Sequence, residues 1–484
     1  METIKNLAPV NVWKHFYSLT QIPRPSGQMK EIVAFVESFG KQLGLPTKTD
    51  SCGNVVICKP ATPGYENRPT IILQGHLDMV PQKNSDTNFD FSKDPIDAYI
   101  DGEWVKAKGT TLGADNGIGV ATTMAVLEDT TLEHGPIEAL FTTDEETGMD
   151  GAFGIKPGFI TGKVMLNMDS EDEGELYVGC AGGADLNISF QYKDDTEIPA
   201  GDIAVKLSLT GLKGGHSGVD INLGRGNANK LMFRFLKDAV QNFGARLSSI
   251  DGGSLRNAIP REAFAVITIP GDDEVDGLWE MISEYQDLYN SEYERVEENI
   301  KFVAEKVELP KTLIPEEIQD DLINAILGCS NGVERILTDF PDTVETSSNL
   351  ALVKSTEGFI DIKILVRSAS ETKKEALCSS LESVFALAGA KVEFGNSYPG
   401  WNPNVNSPIL ATMKNVHKNL FGAEPQVKVM HAGLECGIIM SSNPGLDVIS
   451  FGPTIKNPHS PDEKVNIAAV KNFWDFLVET LKKA

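Results

Sequence analysis

Apolar residues recur along this chain at two different spacings, and the change from one to the other marks its elements. Between positions 8 and 44, Trp13, Phe16, Leu19, Ile32, Val33, Val36, Phe39 and Leu43 return at roughly helical intervals, which lines one face of an amphipathic helix. The Pro23-Arg24-Pro25-Ser26-Gly27 segment interrupts them. Proline removes a backbone donor and glycine favours a turn, so the pattern predicts two helices rather than one. Short aliphatic or β-branched runs follow at 54–58, 70–73, 137–143 and 164–168, and 116–127 reads as a helix. Buried strands alternating with helices predict an α/β domain with a central, mostly parallel sheet flanked by helices.

From about 187 to 395 the pattern changes. An acidic loop at 194–197 leads into a strand at 203–210, a helix at 227–240, a strand at 263–269 and a long charged amphipathic helix from about 275 to 306. Strands near 344–353 and 359–366, a helix at 371–389 and a strand at 391–394 make a second round. Two rounds of strand, helix and strand predict an inserted α+β domain at 187–395. Residues 1–186 and 396–484 then form the first domain, closed by a helix at 466–482. Two domains are also what 484 residues call for, because single cores stop growing at roughly 250–300 residues.

Composition narrows the partners. A net charge of −26 lacks the basic footprint that nucleic acid or an anionic membrane surface requires, and it speaks first to solubility. No apolar run approaches the roughly 20 residues that would cross a bilayer. Cysteines 52, 58, 180, 329, 378 and 436 are scattered without a framework, which reads as free thiols in a reducing compartment. The opening Met1-Glu2-Thr3-Ile4-Lys5 has no basic region followed by an apolar stretch, so the expectation is a cytoplasmic protein without an export signal.

The chemistry sits where the strands end. His76 and Asp78 follow the 70–73 run, Glu145 and Glu146 the 137–143 run, and Asp169 the 164–168 run. Asp115-Asn116 opens a helix among Gly109, Gly113, Gly117 and Gly119, which suggests close backbone approach. His459 lies in a Pro-rich loop after 448–451. Open α/β sheets place their sites outside the carboxyl ends of their strands. Imidazoles and carboxylates of this number suffice for two divalent ions, with a carboxylate left to handle protons. Adjacent Glu145 and Glu146 point to opposite sides if extended, so one can bind metal while the other faces water. Taken singly, each has a plainer reading: Asp115 as a helix cap, Asp169 as part of an acidic loop, His216 as part of a glycine turn. His15, His134 and His417 read as structural or exposed. His431 and Glu435 fall in a segment expected to line the pocket, with Glu435 able to contact a cationic or imidazole substrate side chain.

The order His76-Leu77-Asp78, Gly113-Ala114-Asp115-Asn116, Glu145-Glu146, Asp169 and a late His459 resembles the dinuclear zinc aminoacylase and carboxypeptidase family. Within it, the likeness is nearest to the branch that cleaves Xaa-His dipeptides. The segments Leu212-Lys213-Gly214-Gly215-His216-Ser217-Gly218, Leu255-Arg256-Asn257-Ala258-Ile259-Pro260 and His431-Ala432-Gly433-Leu434-Glu435-Cys436-Gly437 carry it further, and it runs essentially end to end. The resemblance implies that Asp115 bridges two metal ions, with His76 and Asp169 completing one site and Glu146 and His459 the other. Asp78 supports His76, and Glu145 is the general base. It also implies a cis peptide at Asp115–Asn116 and an inserted domain that acts as lid and dimerisation domain. His216 would polarise the scissile carbonyl, reaching across from the partner of a homodimer. Asn257, Arg367 and the backbone at Gly433 would hold the substrate carboxylate. A guanidinium suits that task because its fork binds both oxygens.

The reading is therefore a cytoplasmic metallodipeptidase for unblocked dipeptides with carboxyl-terminal histidine, β-alanyl-histidine included. It uses two divalent ions, Zn2+ foremost with Co2+ or Mn2+ permitted by the same ligands. Rivals are an N-acyl amino-acid deacylase or a tripeptidase of the same architecture, or a non-catalytic metal-binding assembly protein. The last fits poorly with a full ligand set beside a spare base.

Overall fold

The fold was obtained as a computed structural model, and it describes residues 3–271 and 275–484. The chain separates into two compact units. The first holds residues up to Gly179, Trp401–Val429 and Leu434–Ala484; the second holds Cys180–Gly400 and Met430–Gly433. The junctions lie outside the expected 187–395 because the Gly182–Gln191 strand pairs along its length with Phe359–Ser368 and with Lys391–Tyr398. Those pairings commit it to the second unit.

The first unit is built on an eight-stranded mixed sheet. At its centre Ile137–Thr142, Ile71–His76, Val164–Asn167 and Asp447–Ser450 lie side by side and parallel. Thr47–Thr49, Val55–Lys59 and Glu175–Cys180 join antiparallel. Among the described pairings the sheet is thus parallel only in the part that carries the strand-end residues. Every residue of Ile71–His76 and Ile137–Thr142 is buried, which accounts for their near-continuous apolar sequence. The expected break at 23–27 holds: Val10–Thr20 and Lys30–Gln42 are separate helices. The Ala114–Glu128 helix is buried from Ala114 to Leu127. It shares one apolar core with Trp13, Phe16, Ile57, Phe141 and Val470.

A small four-stranded sheet completes the arrangement. Ile455–Lys456 and Lys464–Asn466 form an antiparallel hairpin beside Trp104–Ala107 and Ala98–Asp101. Residues 457–463, with His459 among them, are the loop of that hairpin. Asn457 and His459 both take positive φ, 55° and 57°, and Pro458 and Pro461 stiffen the same stretch.

The second unit is a nine-stranded sheet, antiparallel in each pairing described. Helices Ala228–Phe243, Val275–Glu292, Glu316–Gly328 and Glu371–Leu387 contribute to one core with it. The helix expected from about 275 to 306 ends at Glu292, and Lys301–Val307 is a strand beside Asp202–Thr210. Its buried Phe302 stands between exposed Lys301 and Val303, the two-residue period of a strand that its charged side chains mask in the sequence. None of the described helices is long and apolar enough to cross a membrane.

Candidate functional site

Three parallel strands, one helix start and one hairpin loop deliver the polar residues of the first unit. His76 is the last residue of its strand, and Asp169 comes two residues after Asn167. Glu145 and Glu146 begin a one-turn helix just past Thr142, entered through Asp144 at φ 55°. Asp115 stands at the start of the Ala114–Glu128 helix with non-helical dihedrals, and the Asp115–Asn116 peptide is cis.

These residues meet as two triads that share one carboxylate. His76 Nε2 lies 3.2 Å from Asp115 Oδ1 and 3.2 Å from Asp169 Oδ1. His459 Nε2 lies 3.1 Å from Asp115 Oδ2 and 3.1 Å from Glu146 Oε2. Asp115 therefore offers one oxygen to each imidazole. His76 is fully enclosed, whereas the His459 side chain is 52% exposed. Donors at about 2.0 Å from a tetrahedral ion stand roughly 3.3 Å apart. The imidazole–carboxylate distances in both triads match that spacing, and their mixture of imidazole and carboxylate suits zinc.

The electrostatics calls for cations. Asp78, Asp115, Glu145, Glu146, Asp169, Glu171, Glu435 and Glu463 are enclosed or nearly so in one region, against His76, His459 and Arg24. Burial, reinforced by neighbouring carboxylates, pushes Glu145 well above the usual carboxylate range, although His76 opposes the shift. Burial likewise raises Glu146, Asp169 to about 6 and Glu171 to about 9. Burial alone would lower His76, but Asp169, Asp115 and Asp78 outweigh it and hold the imidazole well above its ordinary value. Hydrogen bonds that its ring donates to Asp115 and Glu146 hold His459 up at about 11. Protons are thus retained where divalent ions would supply the missing positive charge. Glu146 Oε1 is buried with no hydrogen-bond partner among the described residues. An anionic oxygen left so would be costly unless something unmodified by hydrogen bonding, such as a metal ion, coordinates it.

Asp78 joins the two halves. Its Oδ1 accepts the Glu145 amide at 3.0 Å and lies 3.4 Å from His76 Nδ1. Its Oδ2 accepts the Glu146 amide at 3.1 Å and the Ser26 hydroxyl at 2.8 Å. Burial works against the charge, yet His76, Ser26 and the Glu145 amide keep Asp78 at about 2. One carboxylate thereby orients both an imidazole and the turn that presents two glutamates.

Glu435 sits differently from the expectation of a pocket-lining contact. It is 0% exposed. Its Oε2 accepts Gln74 Nε2 and Thr142 Oγ1, both at 2.7 Å, and Gln74 in turn accepts from Asn167. Burial raises its carboxyl to about 8. The first turn of the Glu435–Ser442 helix points inward, so the carboxyl braces the three strands that end near His76, Glu145 and Asp169. Apolar patterning does not single out Gln74, although a glutamine closing an aliphatic run is an available signal. Arg24 and Glu463 stand in Pro-containing segments and carry no comparable signal.

The second unit gathers a different set. Arg367 is 5% exposed. It donates from Nε to Ser217 Oγ at 3.3 Å and from Nη1 to Tyr398 Oη at 3.0 Å, and among the described residues no carboxylate pairs with it. His216 Nε2 lies 3.4 Å from Arg367 Nη2. His216 Nδ1 accepts the amides of Gly218 and Val219 at 3.1 and 3.2 Å, so the ring proton resides on Nε2. Two donors then face each other, an arrangement satisfied by an acceptor that both can reach, as an anion would be. Burial, and then the Arg367 charge, lower His216 to about 4 against the opposing Asp220. His431 is buried beside Ser347, with Nε2 2.7 Å from the hydroxyl. Asn257 is an exposed turn residue whose carbonyl accepts the Ser217 amide at 2.8 Å. Gly433 closes the 430–433 segment.

Residues 72–483 match the profile of Peptidase family M20/M25/M40. The chain belongs to that family. It is 44% identical to the cytosol non-specific dipeptidase of Escherichia coli (strain K12), over 100% of this chain and 99% of that protein. Its fold superposes on the crystal structure of aminoacylhistidine dipeptidase from Vibrio alginolyticus with a TM-score of 0.92 and 46% identity, covering 99% and 98% of the two chains. Aminopeptidase PepT from Bacillus cereus shares the fold at a TM-score of 0.58 and 16% identity.

Two measurements check this geometry. Metal analysis should find two divalent ions per chain and one in His459→Ala; two ions in the variant would contradict the pairing of triads. The His216 ring, being neutral above about 4, should show no NMR titration from about pH 5 to about pH 9. A midpoint near the ordinary histidine value would contradict its enclosure beside Arg367.

Proposed function

We propose that this chain is a dinuclear metal-dependent dipeptidase that hydrolyses unblocked dipeptides, Xaa-His and β-alanyl-histidine among them. The observation that carries the reading is the shared carboxylate: Asp115 stands between His76 with Asp169 on one side and His459 with Glu146 on the other. These five residues would hold the two ions, Zn2+ foremost. The ions, when bound, would lower the pKa of water and polarise a carbonyl.

The protein groups do the rest. Glu145, whose burial makes its carboxylate a stronger base than usual, accepts as carboxylate the proton of the attacking water and delivers it to the leaving amine. Asp78 fixes the Glu145 amide and the His76 ring, so that base and ligand keep their spacing. His216, reaching across from the partner subunit, offers its Nε2 N–H to the carbonyl oxygen as negative charge grows there, an interaction often worth about 3–4 kcal/mol. Arg367, with Asn257 and the backbone at Gly433, receives the substrate carboxylate. The guanidinium without an anionic partner supports that role, because a buried cation is costly until an anion meets it.

The curated relative from Escherichia coli is named non-specific and the Vibrio alginolyticus protein is named for aminoacyl-histidine. A carboxyl-terminal histidine is therefore proposed as an accepted side chain rather than an obligatory one. The name of the first relative also supports a cytoplasmic location. Homodimerisation through the second unit belongs to the same reading. The outer strand Lys391–Tyr398 leaves one edge unpaired among the described strands and presents Phe394 half exposed, a surface that another chain can extend.

Glu145→Ala should lower turnover by roughly 10²- to 10⁴-fold while metal content stays at that of the unaltered chain. Unchanged turnover would remove Glu145 from the mechanism. In a panel of β-alanyl-histidine, alanyl-histidine, N-acetyl-histidine and alanyl-alanyl-histidine, the two free dipeptides should be cleaved fastest. Preference for the acetylated compound or the tripeptide would instead favour a deacylase or a tripeptidase.

A further inference from the structure

Two charged side chains packed behind the triads belong to neither. Arg24 and Glu463 are each 2% exposed. Glu463 accepts four consecutive backbone N–H groups: Leu112 and Gly113 on Oε2 at 2.7 and 2.9 Å, Ala114 and Asp115 on Oε1 at 2.7 and 3.2 Å. Those amides open the Ala114–Glu128 helix, where the backbone favours an anion. Arg24 donates from Nη1 to the carbonyls of Leu77 and Asp78, both at 3.0 Å, and from Nη2 to the carbonyl of Gly113 at 2.5 Å. The fold makes room for it: a Cβ at Gly113 or Gly117 would stand 2.5 or 2.6 Å from Arg24 Nη2. Glu463 also attracts Arg24 electrostatically.

We propose that Arg24 and Glu463 form a bracket that sets the separation between the two metal sites, acting as positioning residues for His76, Asp115 and His459. Glu463 follows His459 by four residues in one hairpin loop, so its carboxylate ties the exposed ligand to the Asp115 amide. Arg24 ties the turn after His76 to the residue two before Asp115. Three segments distant in sequence are thus fixed to one another through two buried side chains. The inference rests on the two-ion reading above.

A carboxylate has about four acceptor positions, and here four amides use them. Glu463→Gln keeps the volume but turns an N–H pair toward other N–H donors. Glu138 is a fitting control: it is a buried carboxylate of the same unit that accepts the amides of Thr161 and Gly162, seven residues before Glu145. Zinc affinity should be measured by competition with a chelator on the unaltered chain, Glu463→Gln, Arg24→Lys and Glu138→Gln, together with kcat, KM and melting temperature. The bracket predicts about 10- to 100-fold weaker binding of an ion in Glu463→Gln, with kcat falling in step and KM within about 3-fold. Arg24→Lys, which keeps the cation but loses the fork, should shift affinity in the same direction by less. Glu138→Gln should lower melting temperature alone. Native affinity for both ions in Glu463→Gln, or a loss of melting temperature only, would overturn the bracket. If Glu463→Gln fails to fold, native affinity in Arg24→Lys would overturn it equally. Fewer than two ions on the unaltered chain would instead overturn the two-ion reading itself.

Discussion

The first unit is organised around a surplus of buried negative charge at Asp115. Burying carboxylates together is unfavourable unless protons or cations relieve them. Burial and neighbouring carboxylates push Glu145, Glu146 and Asp169 up, and carboxylates hold His76 and His459 up as well, so the cluster favours added positive charge. Most of the local structure serves to hold that unfavourable arrangement in place. The parallel strands of a mixed sheet send His76, the Glu145–Glu146 turn and Asp169 to one edge, and a proline-stiffened hairpin brings His459 to meet them.

Around that centre, each reactive side chain is fixed by another that does not react. Asp78 holds the amides of Glu145 and Glu146. Glu435 and Gln74 join the strand ends that carry His76, Glu145 and Asp169. Glu463 takes up the amides leading into Asp115. Such a layered arrangement suits metal chemistry, in which ligand direction matters as much as ligand identity. The second unit solves a separate problem with neutral partners. Ser217, Tyr398 and His216 surround Arg367, so its guanidinium is ordered by partners that carry no negative charge.

The parts of the fold and site most legible in the sequence were those governed by local rules. Buried strands announce themselves as apolar runs, and residues just past their carboxyl ends fall together once the strands are parallel. His76, Asp169 and the Glu145–Glu146 pair could be found in this way. Resemblance to a family supplied the assignment of Asp115 as the shared ligand, which an aspartate at a helix start does not reveal by itself. What stayed hidden depends on direction or on tertiary partners. Lys301–Val307 looked like the end of a charged helix because its alternation is carried by a single buried phenylalanine. Glu435 looked like a pocket residue because sequence does not tell which way the first turn of a short helix faces. Arg24 and Glu463 gave no sign of their importance, since their partners are backbone groups far along the chain.

The central claim is that Asp115 is shared between two ions, and crystals of the zinc-loaded protein test it most directly. Anomalous diffraction at the zinc edge should give two peaks per chain, one on each side of the Asp115 carboxylate, with His76 and Asp169 at one and His459 and Glu146 at the other. A single peak, or two that do not both contact Asp115, would contradict the account.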